Sequence, residues 1–259
     1  MRSILLLIII FSNIITALDV EVIELKNKIP ERVLYIGNSY LYYNDSLHNH
    51  VRRMLEEEYS KEIDRTNYKM VTVSGSRLPH HNIDYPLNHI NLGALKPFEL
   101  VILQGGSGEA NTISERKDFS LKAKEMIEKI HEAGAEAALY MIHAYVEPHE
   151  NTNPEMIENI KKMYIDVANQ NNVLVIPVGI AFENAYDINP DIVLHKEYDG
   201  SHPSLLGTYL AACVVFSSIT HKSPMQIKYD YFGKIDEVDK KFLQEVAKET
   251  VEDFYRIKL

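Results

Sequence analysis

The chain has 259 residues and an ordinary globular composition, with 46% hydrophobic and 25% charged residues. Its formal net charge is −10 at pH 7. This argues against a nucleic-acid partner and against docking to anionic lipid, because both need a basic surface. Cys213 is the only cysteine, so no internal disulfide can form and a large core must stabilise the fold.

The beginning of the chain differs from the rest. Arg2 is followed by the apolar run Ile4–Phe11, and the small residue Ala17 lies at its exit. This order is typical of a secretory signal peptide, and the run is shorter than the ~20 apolar residues that a membrane span needs. We expect a cleaved signal peptide over residues 1–17, a secreted or extracytoplasmic protein without a stable membrane span, and one domain over residues 18–259. An uncleaved membrane anchor is the alternative.

Short apolar runs alternate with helical patterns along the chain. The runs lie at Val33–Ile36, Met70–Val73, Leu100–Leu103, Ala137–Ile142 and Val173–Val178. Each is apolar at consecutive positions, as strands buried on both faces of a parallel sheet are. Helices are predicted at Ser46–Tyr59, Thr112–Ala133, from Asn153, and, after a polar loop over about 184–199, at Pro203–Ile219 and Asp236–Tyr255. This alternation predicts an α/β three-layer sandwich with a central five-stranded parallel sheet.

A serine follows the first predicted strand. Ser39 comes two residues after Gly37, while Gly75 and Gln104 follow the second and third predicted strands. The carboxyl ends of parallel strands meet at one edge of a sheet, where ligands bind, so we expect these residues to lie near one another. The nucleophile-elbow pattern is not met, because Leu41 occupies its final glycine position. A capping serine in a strand–helix loop is the alternative for Ser39.

A carboxylate and an imidazole are three residues apart in Asp199-Gly200-Ser201-His202. A serine hydroxyl needs a base, and the base needs a group that fixes its tautomer. Together with Ser39 these residues supply a nucleophile, a base and an orienting acid in the order Ser, Asp, His. A solvated turn that caps the following helix is the alternative.

Gly37-Asn38-Ser39 and Asp199-x-x-His202 resemble the first and last blocks of the SGNH (GDSL-like) hydrolases. The resemblance covers about residues 32–219, and it implies a flavodoxin-like SGNH fold and a metal-independent serine esterase. In that interpretation Ser39 is the nucleophile, His202 the general base and Asp199 the residue that orients His202.

The two middle blocks are less regular. Gly75 fits the second block, a glycine whose N–H faces the oxyanion. In place of the usual third block stands Gln104-Gly105-Gly106, which is similar to the Gln-Gly-Glu-Ser variant of carbohydrate O-acetylesterases, although Gly106 occupies the glutamate position. The resemblance implies an oxyanion hole made of Ser39, Gly75 and Gln104, with Asn111 as a spare amide donor.

The remaining expectations concern the substrate and metals. Tyr40, Tyr43 and Asn111 are candidate substrate-binding residues, although aromatic residues at a strand end more often pack in the core. The histidines show no zinc-ligand spacing, so neither a metal nor another cofactor is expected.

The predicted function is hydrolysis of a small-molecule or carbohydrate ester with a short acyl group, such as an O-acetyl group on a sugar. Three alternatives use the same sequence features. They are a non-catalytic glycan- or ligand-binding protein that retains the fold, an SGNH lipase or acyltransferase, and a metal-dependent hydrolase that uses the loop histidines.

Overall fold

The computed structural model describes residues 19–259, so the predicted signal peptide, residues 1–17, lies outside the described residues. Five parallel strands form a sheet in the order β2-β1-β3-β4-β5. The strands are β1 (Val33–Gly37), β2 (Tyr68–Thr72), β3 (Leu100–Gln104), β4 (Glu136–Tyr140) and β5 (Leu174–Ile176). The predicted α/β class with a five-stranded parallel sheet is confirmed, and the strand order is the flavodoxin-like one.

Helices flank the sheet. They are α1 (Ser39–Tyr42), α2 (Leu47–Glu58), α3 (Asp84–Leu87), α4 (Ile113–Glu132), α5 (Met156–Asn171), α6 (Val178–Ile188), α7 (Leu205–Thr220) and α8 (Glu237–Tyr255). Helix α7 packs on α2, α6 and α8, while α4 packs on α5. Every residue of α7 from Gly207 to Thr220 is buried, because the helix is apolar on all sides and is enclosed by its neighbours.

The segment that contains β5 and the start of α6 differs from the prediction. The apolar run Val173–Val178 was expected to be one strand, but β5 ends at Ile176 and α6 begins at Val178. Pro177 lies between them, and its ring nitrogen has no hydrogen to donate to the sheet. The apolar run therefore spans a strand end and a buried helix start, which hydrophobicity alone does not distinguish.

The topology creates a crevice at one point of the carboxyl edge. From β1 the chain moves outward to β2, and it then returns to the other side of β1 as β3. The loops after β1 and β3 therefore diverge, which leaves the crevice where doubly wound sheets bind ligands. Ser39 lies two residues after the end of β1, and Gln104 is the last residue of β3. Within residues 19–259, no helix is long and apolar enough to cross a membrane.

Candidate active site

Gly37 provides room for the turn that carries Ser39. A Cβ atom at Gly37 would lie 2.4 Å from Gln104 Oε1 and 2.8 Å from Leu41 Cδ1. Its φ angle is not in the left-handed region. Glycine is needed here because β3 and α1 approach the backbone closely, and not because the turn requires a positive φ.

Asn38 fixes the start of α1. Its Oδ1 accepts a hydrogen bond from Tyr40 N at 3.0 Å, and its Nδ2 donates to Ser76 O at 3.0 Å. The first contact is an ordinary N-cap, and the second ties the turn to the loop after β2. Ser39 is therefore the first helical residue, and its backbone N–H has no partner within the helix.

Ser39, His202 and Asp199 form one hydrogen-bonded chain. Ser39 Oγ lies 2.9 Å from His202 Nε2, although the two residues are 163 positions apart. His202 Nδ1 lies 2.7 Å from Asp199 Oδ2. With a proton on Nδ1, the imidazole donates to the carboxylate and accepts from the serine hydroxyl, which is the arrangement that a serine nucleophile requires.

The Asp199 carboxylate is held in its charged form. Its Oδ1 accepts the backbone N–H groups of Ser201 at 2.9 Å and His202 at 3.0 Å. Partial burial acts to raise the pKa of Asp199, but these two hydrogen bonds and the His202 ring outweigh it, so the pKa lies below its usual value. Asp199 thus stays an acceptor for His202 through the neutral pH range.

Two tyrosines from the segment that begins at Ser39 contact the His202 ring. The ring of Tyr43 stacks on the imidazole at 4.4 Å between centroids with 18° between the planes. Its hydroxyl is 3.5 Å from that of Tyr198. This contact and, to a smaller extent, burial raise the pKa of Tyr43 to about 12. Tyr43 is half-buried beside His202, so a role in substrate binding stays a prediction.

Tyr40, a candidate substrate-binding residue, occupies the alternative position inside the core. Its side chain is 3% exposed and stacks on His143 at 4.2 Å, and its hydroxyl lies 2.9 Å from Ser201 Oγ. The physical reason is the helical turn that begins at Ser39, which directs the next residue toward the core behind His202. Tyr40 packs in the core, as aromatic residues at a strand end often do.

Gly75 borders a polar cavity. Its φ is +64°, and a Cβ there would meet no atom within 4 Å. Glycine is thus favoured by the left-handed backbone and not by crowding. Among residues 19–259, no acceptor takes the N–H of Gly75 or of Ser39. These are the two backbone donors expected for the oxyanion.

The cavity has a volume of about 460 Å³. It is lined by Gly75, Arg77, Gly106, Ser107, Gly108, Asn111, Thr112, Glu115, Tyr145 and Asn151. Asn111 is exposed on this wall, which is where a substrate-contacting amide is expected. Most of these groups donate or accept hydrogen bonds, so the cavity suits a hydroxyl-rich or other polar ligand.

Gln104 is engaged with the backbone. Its side chain is 1% exposed, Oε1 accepts Asn38 N at 2.8 Å, and Nε2 donates to Gly105 O. In this arrangement Gln104 supports the backbone immediately before Ser39. Donation from Gln104 to an oxyanion stays a prediction.

Glu109 and Arg77 were not singled out from the sequence. The Glu109 carboxylate is buried and accepts Gly106 N at 2.5 Å. Burial raises the pKa of Glu109 to about 7. Arg77 covers Gly106 and pairs with Glu115 at 2.5 Å. No sequence motif marks Glu109, because its partners are backbone groups of its own loop.

The loop histidines are engaged in hydrogen bonds with protein groups. His143 Nε2 lies 2.8 Å from Ser201 O, and His195 lies 3.0 Å from Ala144 O and 2.7 Å from Tyr186 Oη. Burial holds the pKa of His143 well below its usual value. In the part of the chain that the structure describes, no three histidine, cysteine, aspartate or glutamate side chains converge as a metal site would require.

No protein-family model and no curated protein matches the chain. Solved structures do. A DUF4886 family protein from Bacteroides uniformis superposes with a TM-score of 0.65 at 19% identity, over 88% of this chain and 96% of that one. An acetyl xylan esterase matches with a TM-score of 0.56 at 17% identity, over 72% of this chain and 98% of that one.

A candidate SGNH hydrolase from Slackia heliotrinireducens matches with a TM-score of 0.55 at 21% identity, over 73% of this chain and 98% of that one. The structural neighbours therefore include a candidate SGNH hydrolase and an acetyl xylan esterase. At these identities the likeness concerns the fold, and it confirms at that level the resemblance given by the sequence blocks. The chain has the α/β-sandwich fold of the SGNH hydrolases.

Proposed function

We propose that the chain is a serine esterase that hydrolyses short-chain acyl esters, with a carbohydrate O-acetyl ester as the leading substrate. The observation that carries this proposal is the chain of hydrogen bonds from Ser39 Oγ through His202 to Asp199, at 2.9 and 2.7 Å. Ser39 lies at the carboxyl edge of the sheet, and Asn38, the residue before it, is hydrogen-bonded to Ser76, the neighbour of the cavity-lining Gly75. The acetyl xylan esterases among the structural neighbours support the choice of substrate.

In the proposed reaction Ser39 Oγ attacks the ester carbonyl carbon while His202 Nε2 takes the hydroxyl proton. The N–H groups of Ser39 and Gly75 stabilise the negative charge that develops on the carbonyl oxygen. His202 then gives its proton to the leaving alcohol, and the acyl group stays on Ser39. A water molecule, deprotonated by His202, releases the acyl group as a carboxylic acid and restores the serine.

Three further properties belong to the same proposal. The signal peptide over residues 1–17 would be removed, and the mature chain would act outside the cytoplasm as one domain. Neither a metal nor another cofactor takes part in the proposed reaction. The partner is the small-molecule or carbohydrate ester itself, and the net charge of −10 gives no support to a nucleic-acid partner.

The test is hydrolysis of p-nitrophenyl acetate by the wild-type protein and by Ser39→Ala. Removing the nucleophile should reduce kcat by at least about 10⁴-fold, because the triad acts as a unit. Ser114→Ala is a matched control, since Ser114 is exposed on α4, and it should keep wild-type activity. Unchanged turnover in Ser39→Ala, with folding verified by circular dichroism, would contradict the proposal.

The same assay separates the alternatives. A glycan-binding protein without catalysis would bind oligosaccharide but release no acetate from it. A lipase would prefer long acyl chains over acetyl, and an acyltransferase would turn over faster when an acceptor alcohol is added. Loss of turnover on EDTA treatment, restored by zinc, would indicate a metal-dependent hydrolase.

A further inference from the structure

The residues on both sides of His202 in the chain are bound to the segment that carries Ser39. Ser201 precedes His202 and contacts Tyr40, the residue after the nucleophile. Pro203 follows His202 and contacts Asn44, two residues after the end of α1. The base is thus attached to the nucleophile segment on its two flanks, in addition to its direct contact with Ser39.

Asn44 makes the more extensive of these contacts. Its side-chain Nδ2 lies 3.0 Å from Pro203 O, 2.8 Å from Ser204 O and 2.8 Å from Thr208 Oγ1. Two amide hydrogens are therefore shared among these acceptors, and Lys196 Nζ lies 3.4 Å from Asn44 Oδ1. The carbonyl groups of Pro203 and Ser204 immediately precede α7 in the chain, so Asn44 joins the turn after α1 to the start of α7.

The backbone at Asn44 explains why this residue type is present. Its φ is 53°, in the left-handed region that asparagine tolerates better than most residues other than glycine. Its own carbonyl oxygen accepts from His50 Nε2 at 2.7 Å, which anchors the turn to α2. The Asn44 amide, which donates to Pro203 and Ser204, therefore lies on a turn that is held in place by His50.

Tyr40 makes the second contact from the core side. Its hydroxyl is 2.9 Å from Ser201 Oγ, and its ring stacks on His143, whose Nε2 lies 2.8 Å from Ser201 O. Ser201 is therefore held at its side chain by Tyr40 and at its carbonyl oxygen by His143. Because Tyr40 and His143 are both buried, water does not compete for these hydrogen bonds.

We propose that Asn44 and Tyr40 form a brace, the His202 brace, that sets the distance between Ser39 Oγ and His202 Nε2. This inference rests on the proposed serine esterase function. Neither residue has a role in bond making, so both are positioning residues. A shift of about 1 Å between reacting groups can cost on the order of 10²-fold in rate, so loss of the brace should reduce kcat and leave KM nearly unchanged.

The test compares Asn44→Gly with Asn172→Gly. Glycine removes the side chain and accepts the left-handed backbone without strain, and Asn172 has the same φ of 53° at the start of the segment leading to β5, away from Ser39. We expect a reduction in kcat for p-nitrophenyl acetate of roughly 10- to 100-fold in Asn44→Gly and no change in Asn172→Gly. The rate of inactivation by a fluorophosphonate should fall in parallel with kcat, because both need an activated Ser39.

A second variant covers the case in which Asn44→Gly does not fold. Tyr40→Phe keeps the buried ring and removes only the hydroxyl, so it should lower kcat by about 5- to 10-fold, the effect of one misdirected hydrogen bond. A wild-type kcat in folded Asn44→Gly, or in Tyr40→Phe where the first variant is unfolded, would overturn the brace while leaving the esterase proposal intact. If the wild-type protein has no activity that depends on Ser39, the esterase proposal fails instead.

Discussion

The two sides of Ser39 are built differently. On the base side, His202 is held by the neighbouring Asp199 and by two side chains from a distant part of the chain, Tyr40 through Ser201 and Asn44 through Pro203. On the oxyanion side, the expected donors are backbone N–H groups, and a polar cavity of about 460 Å³ lies next to Gly75. The base side is a fixed network, whereas the oxyanion side is glycine-rich and open.

Under the proposed function, this difference gives the two sides separate tasks. Proton transfer requires one geometry between Ser39 and His202, and a network of directed hydrogen bonds provides it. Substrate selection depends on the shape and polarity of a cavity, which loop residues can change without disturbing the triad. Loss of the Asp199 carboxylate on the base side should therefore reduce kcat most, and changes on the oxyanion side should show smaller or pH-dependent effects.

The largest effect after loss of the nucleophile is expected for Asp199→Asn. The amide keeps the size of the carboxylate but presents an NH₂ group to His202 Nδ1, which favours the tautomer that cannot accept the Ser39 proton. We expect kcat to fall by about 10⁴-fold, measured with p-nitrophenyl acetate at neutral pH. Asp166→Asn, which alters a surface ion pair with Lys162, should keep full activity. A loss of less than about tenfold in Asp199→Asn would show that His202 does not need its carboxylate.

An intermediate effect is expected at Gln104. Gln104→Ala removes the acceptor for Asn38 N–H and any donor to the oxyanion, so kcat should fall by about 10²-fold or more. Gln104→Glu keeps the acceptor but places a negative charge against Gly105 O and near the developing oxyanion. We expect Gln104→Glu to be less active than Gln104→Ala. Near-wild-type turnover of Gln104→Glu would exclude an oxyanion role for Gln104. Asn111 or backbone N–H groups would then be the donors to the oxyanion.

The smallest effect on catalysis, with a clear effect on stability, is expected for Glu109→Gln. The pKa of Glu109 is raised to about 7 in the fold from its ordinary 4.5. The folded protein therefore holds a proton that the unfolded chain releases, so stability falls as pH rises from about 4.5 to about 7. Across this pH range the shift lowers the free energy of unfolding by on the order of 3 kcal/mol.

Urea unfolding at pH 5 and at pH 8 measures this contribution. Glutamine cannot ionise, so Glu109→Gln should lose much less stability between these two pH values than the wild type does. Glu128→Gln, an exposed change on α4, should follow the wild type. Parallel pH dependences of Glu109→Gln and the wild type would mean that Glu109 does not titrate in this range.

The sequence predicted the features of this fold that have a local signature. Apolar runs located all five strands, and the Ser39 and Asp199-x-x-His202 blocks located the residues that the fold brings together. The boundary at Pro177 was wrong because one apolar run continues from β5 into α6. Hydrophobicity does not report where a buried strand becomes a buried helix.

The supporting residues of the base side could not be predicted in the same way. Asn44 contacts Pro203 across 159 positions of the chain, and nothing in the neighbourhood of either residue indicates that pairing. Tyr40 was a candidate for substrate binding as well as for core packing, and the helical turn at Ser39 shows that it faces the core. Local patterns indicate the reacting groups, whereas the groups that hold them become visible only when the chain is folded.

The most direct measurement of the central claim is to treat the protein with a fluorophosphonate and to locate the adduct by peptide mass spectrometry. The probe phosphonylates an activated serine hydroxyl with loss of fluoride, so it reports a working nucleophile whatever the natural ester is. We expect one adduct, on Ser39, that is lost in His202→Ala because the hydroxyl then has no base. An adduct on another serine in active protein, with Ser39 unmodified, would contradict the account.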